Sequence, residues 1–136
     1  MKINLRFNYI LLGIQIMIAI AAIPAGILFL IDPSGHKNGT SSAILANSPF
    51  IDFFIPGLIL LLFIGIGNFS GTVLTILRKE VSGFIGIIFG IMLMVWIVLQ
   101  VYWIGYSSFL QPVFFVLGLI EAAIGYILLL RVIKAR

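Results

Sequence analysis

Four long apolar runs decide what this chain can become: Tyr9 to Ile31, Phe53 to Leu77, Gly83 to Tyr106, and Val113 to Leu130. Each is close to the ~20 residues that carry an α-helix, rising about 1.5 Å per residue, across ~30 Å of hydrocarbon. In lipid every backbone N–H and C=O has to be satisfied internally, which leaves helices or a closed barrel. Barrel strands alternate polar and apolar positions over ~10 residues. These runs do not alternate, so helices are expected. Only 9% of the 136 residues are charged and 62% are hydrophobic, against roughly 25% charged in soluble domains. The expectation is an all-α membrane protein, a single transmembrane domain over residues 1–136. It forms a four-helix bundle with spans near 9–31, 53–77, 83–106 and 113–130 and one long loop over 32–52.

Several alternatives fall away. The chain has no cysteine, so disulfides, thiolate metal sites and cysteine nucleophiles are excluded. Its net charge of +4 does not point to nucleic acid, because the basic residues flank apolar runs, where they set orientation. Lys2 and Arg6 before an apolar stretch, with Ala19-Ile20-Ala21 beyond it, have the outline of a signal peptide. The run continues about ten residues past that point, however, through Pro24 to Ile31, which suits a retained span. Pro24 is expected to kink this helix, since it removes a backbone donor and crowds the preceding turn.

Orientation follows from the basic residues. Lys2 and Arg6 precede the first span, Arg78 and Lys79 separate the second from the third, and Arg131, Lys134 and Arg136 follow or end the fourth. Only Lys37 lies on the other side. The positive-inside rule then places both termini in the cytoplasm. The expected location is the cell membrane, crossed several times, with the 32–52 loop outside. That loop has turn chemistry at Asp32-Pro33-Ser34-Gly35 and Asn38-Gly39. It is read as a lid or a connector, and Asn38-Gly39-Thr40 also fits a glycosylation acceptor. Pro112 suits the first turn of the fourth helix. Tyr102, Trp103, Tyr106, Phe50 and Phe53 are expected in an outer aromatic belt, with Tyr9 on the inner side.

Helices in a bilayer associate through small residues and through polar side chains that find one another. Each span has such a stripe: Asn8, Gln15, Ala19, Ala22 and Gly26; then Gly57, Leu61, Gly65, Asn68 and Thr72, adjoined by Gly67 and Gly71. The third has Gly86, Gly90, Leu93, Trp96, Gln100, Trp103 and Ser107, and the fourth Phe114, Gly118, Glu121, Gly125 and Leu128. Four stripes make a bundle centre. By helical rise, Asn68 and Glu121 both lie about 15 Å from the cytoplasmic end and are expected to be able to meet. Gln15 falls nearer the cytoplasm and Gln100 nearer the outside.

Glu121 is the most informative residue, because an ionisable group within a span is expensive and is a functional-site hypothesis by default. An apolar surround disfavours the charged form of a carboxyl group, and a neutral one can donate a hydrogen bond or exchange a proton. The plainer reading is a staple bonded to Asn68 or a backbone carbonyl. Gly118 and Gly125 either leave a gap beside the carboxyl group or pack closely against a neighbour. Gln100, Trp96 and Trp103 either line an amphipathic pocket or serve as bundle glue and interface anchors. The candidate polar site within the membrane is thus Glu121, Asn68, Gln100, Gln15 and Trp96. His36, with Asp32 and Asp52, lacks metal-ligand spacing. No phosphate loop and no Ser-His-Asp set can be assembled. No catalytic residue, cofactor or metal is therefore expected.

The string Phe54-Ile55-Pro56-Gly57-Leu58, followed by Gln100-Val101, Ile104-Gly105, Leu110-Gln111-Pro112, Gly118, Glu121 and Gly125, resembles small bacterial four-span integral membrane proteins. That family is uncharacterised, and the resemblance implies a bacterial inner membrane but no reaction. By size the chain is also similar to small multidrug resistance transporters, whose membrane glutamate couples protons to drug export. That glutamate lies in their first span; here the first span has Gln15 and the acid is in the fourth.

Three functions follow as expectations. The first is noncatalytic binding of a partner protein, a lipid or an apolar molecule through the bundle. The second is a proton-coupled small transporter, oligomeric because four helices make a narrow path, using Glu121. The third is an intramembrane lipid-modifying enzyme with Glu121 as general acid, ranked last because no basic partner lies at its depth. Orientation is directly testable in this cysteine-free chain. Single cysteines placed beside Arg6, Arg78 and Lys134 should react with an impermeant thiol reagent only after the membrane is opened. One placed beside Lys37 should react in intact cells, and the reverse pattern would invert the topology.

Overall fold

The computed structural model describes residues 2–135, with side chains from Leu5 onward. The Lys2 side chain and Arg136, both counted in the charge pattern, lie outside the described residues. Four helices are long and apolar enough to cross a membrane: α1 (Lys2–Ile31), α2 (Phe54–Ile76), α3 (Ser82–Ile104) and α4 (Leu110–Ala135). There is no strand among the described residues. α1 and α4 extend past the apolar runs at the end that carries Arg6, Arg78, Arg131 and Lys134, here called the basic end. Long basic side chains permit this, since they lay their methylenes on apolar surface while the charge reaches out. Pro24 stays inside an unbroken α1, on its exposed face.

The helices form a ring. α1 lies along α2 and also touches α4, α4 makes its most extensive contact with α3, and α3 closes the ring against α2. Missing side chains set the spacing. A Cβ at Gly90 would lie 2.6 Å from the Gly118 carbonyl oxygen, and one at Gly125 would lie 2.5 Å from that of Gly83. Between α1 and α2, a Cβ at Gly57 would meet Cβ of Phe29 at 2.6 Å, and one at Gly26 would meet Cβ of Leu61 at 2.8 Å. The small residues therefore serve as seams, as membrane helix packing requires. Within α2, Leu60–Ile66 winds as a π-helix. The wider turn rephases the helix so that Ile64, Gly65, Gly67 and Asn68 all face inward.

The 32–52 loop is folded back on the bundle. Gly35 and Gly39 turn it at φ 85° and 76°, where a side chain would be strained. Asp32 accepts from the Ser34 hydroxyl at 2.6 Å and from the Lys37 N–H at 3.0 Å. These bonds hold the Asp32 carboxyl below its ordinary value, the Ser34 bond contributing most. Asn38 Nδ2 donates to the Ala25 carbonyl at 3.0 Å, so the amide of the acceptor motif is engaged with α1. Leu45, at the end of the loop's Ser42–Leu45 turn, is buried. Phe53 is only 6% exposed and stacks on Phe29 at 4.5 Å, so it belongs to the interior and not to the aromatic belt. Tyr102, Tyr106 and Tyr9 are exposed as the belt reading requires, while Trp103 meets Phe50 edge-on at 5.3 Å. At the other end of α2, the Arg78 N–H donates to Thr75 and the Lys79 N–H to Leu74. Arg78 occupies the left-handed position at φ 52° that usually takes glycine.

The seams make a paired prediction. Gly125→Val forces backbone apart at the α3–α4 contact and should cost about 1–3 kcal/mol, the usual range for overpacking. Gly13, with nothing within 4 Å of its would-be Cβ, should accept alanine with no loss and a gain of up to about 1 kcal/mol. Thermal unfolding in detergent reads both, and equal effects would refute the seam assignment.

Candidate functional site

The five polar candidates separate into two sites at different levels. Gln100 and Trp96 line a cleft toward the loop end; Gln15, Asn68 and Glu121 lie below it, each 0% exposed.

The cleft consists of two cavities with a common wall. One, of about 320 Å³, lies between Ala21, Ala22 and Ala25 of α1 and Leu110, Gln111 and Phe114 of α4, with Ile18, Ile64, Leu93 and Ile97 at its inner side. Its rim is open, since Ala21 and Leu110 are exposed. The second, of about 200 Å³, runs beneath the loop and is bounded by Thr40, Ile44, Leu45 and Phe50. Phe29, Leu60, Trp96, Gln100 and Ser107 line both. Among the described residues no charged side chain lines either. Trp96 is 8% exposed, and its Nε1 has no hydrogen-bond partner. An unmade bond at a buried donor costs about 1–3 kcal/mol, so an acceptor within the cleft would be bound with that advantage.

Gln111 fixes the polar edge of this cleft. It is 5% exposed, its Oε1 accepts from the Ser107 N–H at 3.0 Å, and its Nε2 points to the Gln100 Oε1 at 3.5 Å and the Gly105 carbonyl at 3.4 Å. It was absent from the candidates drawn from the sequence. The signal lay in Ser108-x-x-Gln111 ahead of an apolar run, the pattern of a helix-starting capping box. Ser108 Oγ does accept from the Leu110 N–H at 3.1 Å.

In the lower site, Gln15 Oε1 accepts from the Thr75 hydroxyl at 2.9 Å, and Gln15 packs on Gly71, where a Cβ would lie 2.6 Å from Nε2. Asn68 Nδ2 donates to the Ile64 carbonyl at 2.8 Å, one turn back along the rephased helix. Thr72 similarly donates to the Asn68 carbonyl. What remains is a set of orphans: Gln15 Nε2, Asn68 Oδ1 and both carboxyl oxygens of Glu121. The expected meeting of Glu121 with Asn68 is not made. The Gln15 amide is the polar side chain alongside Glu121, just outside hydrogen-bond geometry.

Comparison with known proteins adds nothing to this geometry. No family model, curated protein or solved structure matches the chain. The function has to be argued from the two sites themselves. Among the described residues no three His, Cys, Asp or Glu side chains gather as metal ligands, and the Asp32 oxygens are engaged within the loop.

Proposed function

We propose that the protein is a multi-pass protein of a bacterial inner membrane, with both termini in the cytoplasm, that binds one amphipathic lipid noncatalytically in the cleft. The observation that carries this reading is the cleft itself: an open-sided, uncharged cavity with an unpartnered Trp96 Nε1 and an amide edge at Gln100 and Gln111. It fits the general form of ligand sites, largely apolar with a few placed polar groups.

Inside a bilayer an acyl chain gains nothing from leaving other acyl chains, because lipid tails are as apolar as the wall that replaces them. Selectivity has to come from the polar groups. Trp96 offers a donor, and the two glutamine amides offer donors and acceptors. The matching occupant carries hydroxyl or ester oxygens and no net charge on the part that enters. An ionic headgroup would be stripped of water there with no counter-charge to receive it. The loop, anchored by Asn38 on α1 and by Phe53 on Phe29, closes one side.

The test uses the tryptophan. In a Trp103→Phe background only Trp96 emits, and its ring is buried away from surrounding lipid. In bilayers containing an uncharged lipid brominated on its acyl chain, emission should be strongly quenched, and filling the cleft with Ala25→Phe should restore most of it. Emission unaffected by the brominated lipid, or equally quenched after filling, would remove the lipid-binding reading.

A further inference from the structure

The buried carboxyl group beneath the cleft is a separate matter. Glu121 is 0% exposed and neither oxygen has a partner. No cation compensates it among the described residues. α2 has no charged side chain from Phe54 to Ile76 and α3 none from Ser82 to Ile104. α1 presents Gln15 to it, with Arg6 more than two turns farther toward the basic end. On α4 itself Arg131 lies nearly three turns away, over the Phe7 ring. Tyr102 and Tyr126 are exposed, and Tyr9, also exposed, borders a cavity at the basic end. A carboxylate held this way is strongly disfavoured unless something neutralises it.

The approach to this group is asymmetric. On the loop side, Ile18, Ile64 and Leu93 are each at most 2% exposed and form a layer one helical turn thick between the cleft and the polar centre. On the basic side, a cavity of about 180 Å³ has Asn8, Tyr9, Thr75 and Arg78 in its wall beside the apolar Leu5, Leu12 and Ile76. Thr75 is at once a wall of that cavity and the hydrogen-bond donor to Gln15. The free Nε2 of Gln15 then lies next to Glu121. A polar line thus leads inward from the basic end and stops at the carboxyl group.

We infer that Glu121 is a proton-binding site that exchanges with the aqueous phase at the basic end of the bundle, by way of Thr75 and Gln15, and is closed to the cleft by the isoleucine–leucine layer. Uptake moves one proton from a hydronium ion, carried on water that enters past Thr75 and Gln15, to a carboxylate oxygen: one hydronium O–H bond breaks as the carboxyl O–H forms, a water molecule is left, and one negative charge is cancelled. The protonated group gains a donor, and its second oxygen stays beside the free Gln15 Nε2. Loss of the proton leaves a charge that draws water in from the basic-end cavity. This site stands independently of lipid in the cleft.

The test is labelling by dicyclohexylcarbodiimide, an apolar reagent that adds to protonated carboxyl groups in membranes. The full chain is reconstituted in vesicles whose orientation is read from trypsin cleavage at the Arg78-Lys79 turn, with the pH of the two compartments set separately. Mass spectrometry should find the adduct on Glu121, absent from Glu121→Gln. Adduct formation should fall about tenfold per pH unit once the group is mostly ionised, and only when pH is raised on the Arg78 side. Thr75→Val should slow that response several-fold without changing the unlabelled protein's circular dichroism. A label that follows the opposite compartment, ignores pH, or never forms on folded protein would overturn the inference and leave Glu121 a static staple.

Discussion

Where α3 crosses α4, two backbones approach so closely that one methyl group at Gly90 or Gly125 would strike a carbonyl oxygen. Dispersion and polar contact, not water, drive association in lipid, and both fall off steeply with distance. The seam therefore sets how near the other helices can come. Packing this tight places Gln15, Asn68 and Glu121 out of reach of solvent. α1 meets α4 through Leu11, Ile124, Leu128 and Phe7 toward the basic end. Nearer the loop Ala21, Ala22 and Ala25 stand opposite Phe114 and Gln111, and the cleft occupies the space these small side chains leave.

The two sites share one bundle but use opposite physics. The cleft is open at the rim, and the side chains that line it carry no charge. The lower site is closed and holds one ionisable group, and its Gln15 accepts from Thr75, a wall of the basic-end cavity. Ile18, Ile64 and Leu93 belong to both, as the inner wall of one and the cover of the other. The π-helical turn lies at this boundary: it brings Ile64 to the layer and turns the Asn68 amide back on the Ile64 carbonyl. Such turns are frequent at functional sites.

Much of this was legible in the sequence because helices long and apolar enough to cross a membrane follow few and strong rules. Span length gave the four helices to within a few residues at most ends, and small-residue spacing found the buried stripes through Gly26, Gly65, Gly90 and Gly125. Burial of Gln15, Asn68 and Glu121 followed from the same periodicity. What escaped depends on contacts that no regular period encodes. The π-helix changes phase within an unbroken apolar run, so composition is silent about it. Phe53 reads as an interface aromatic until Phe29 is seen to stack on it. Gln111 reads from Ser108-x-x-Gln111 as no more than a helix-start residue until its side chain is seen to close the Ser107 turn and reach Gln100. The neighbour of Glu121 is set by helix order around the ring: α1 adjoins α4, whereas α2 stands across from it, which gives Gln15 the place expected for Asn68.

Native mass spectrometry of the protein released gently from its own membrane tests lipid binding in the cleft most directly, because it reports chain number and retained molecules together. A single uncharged lipid retained per chain, lost on filling the cleft, is the expected result. Chains that emerge free of lipid, or that retain only charged lipids in no fixed ratio, would contradict it.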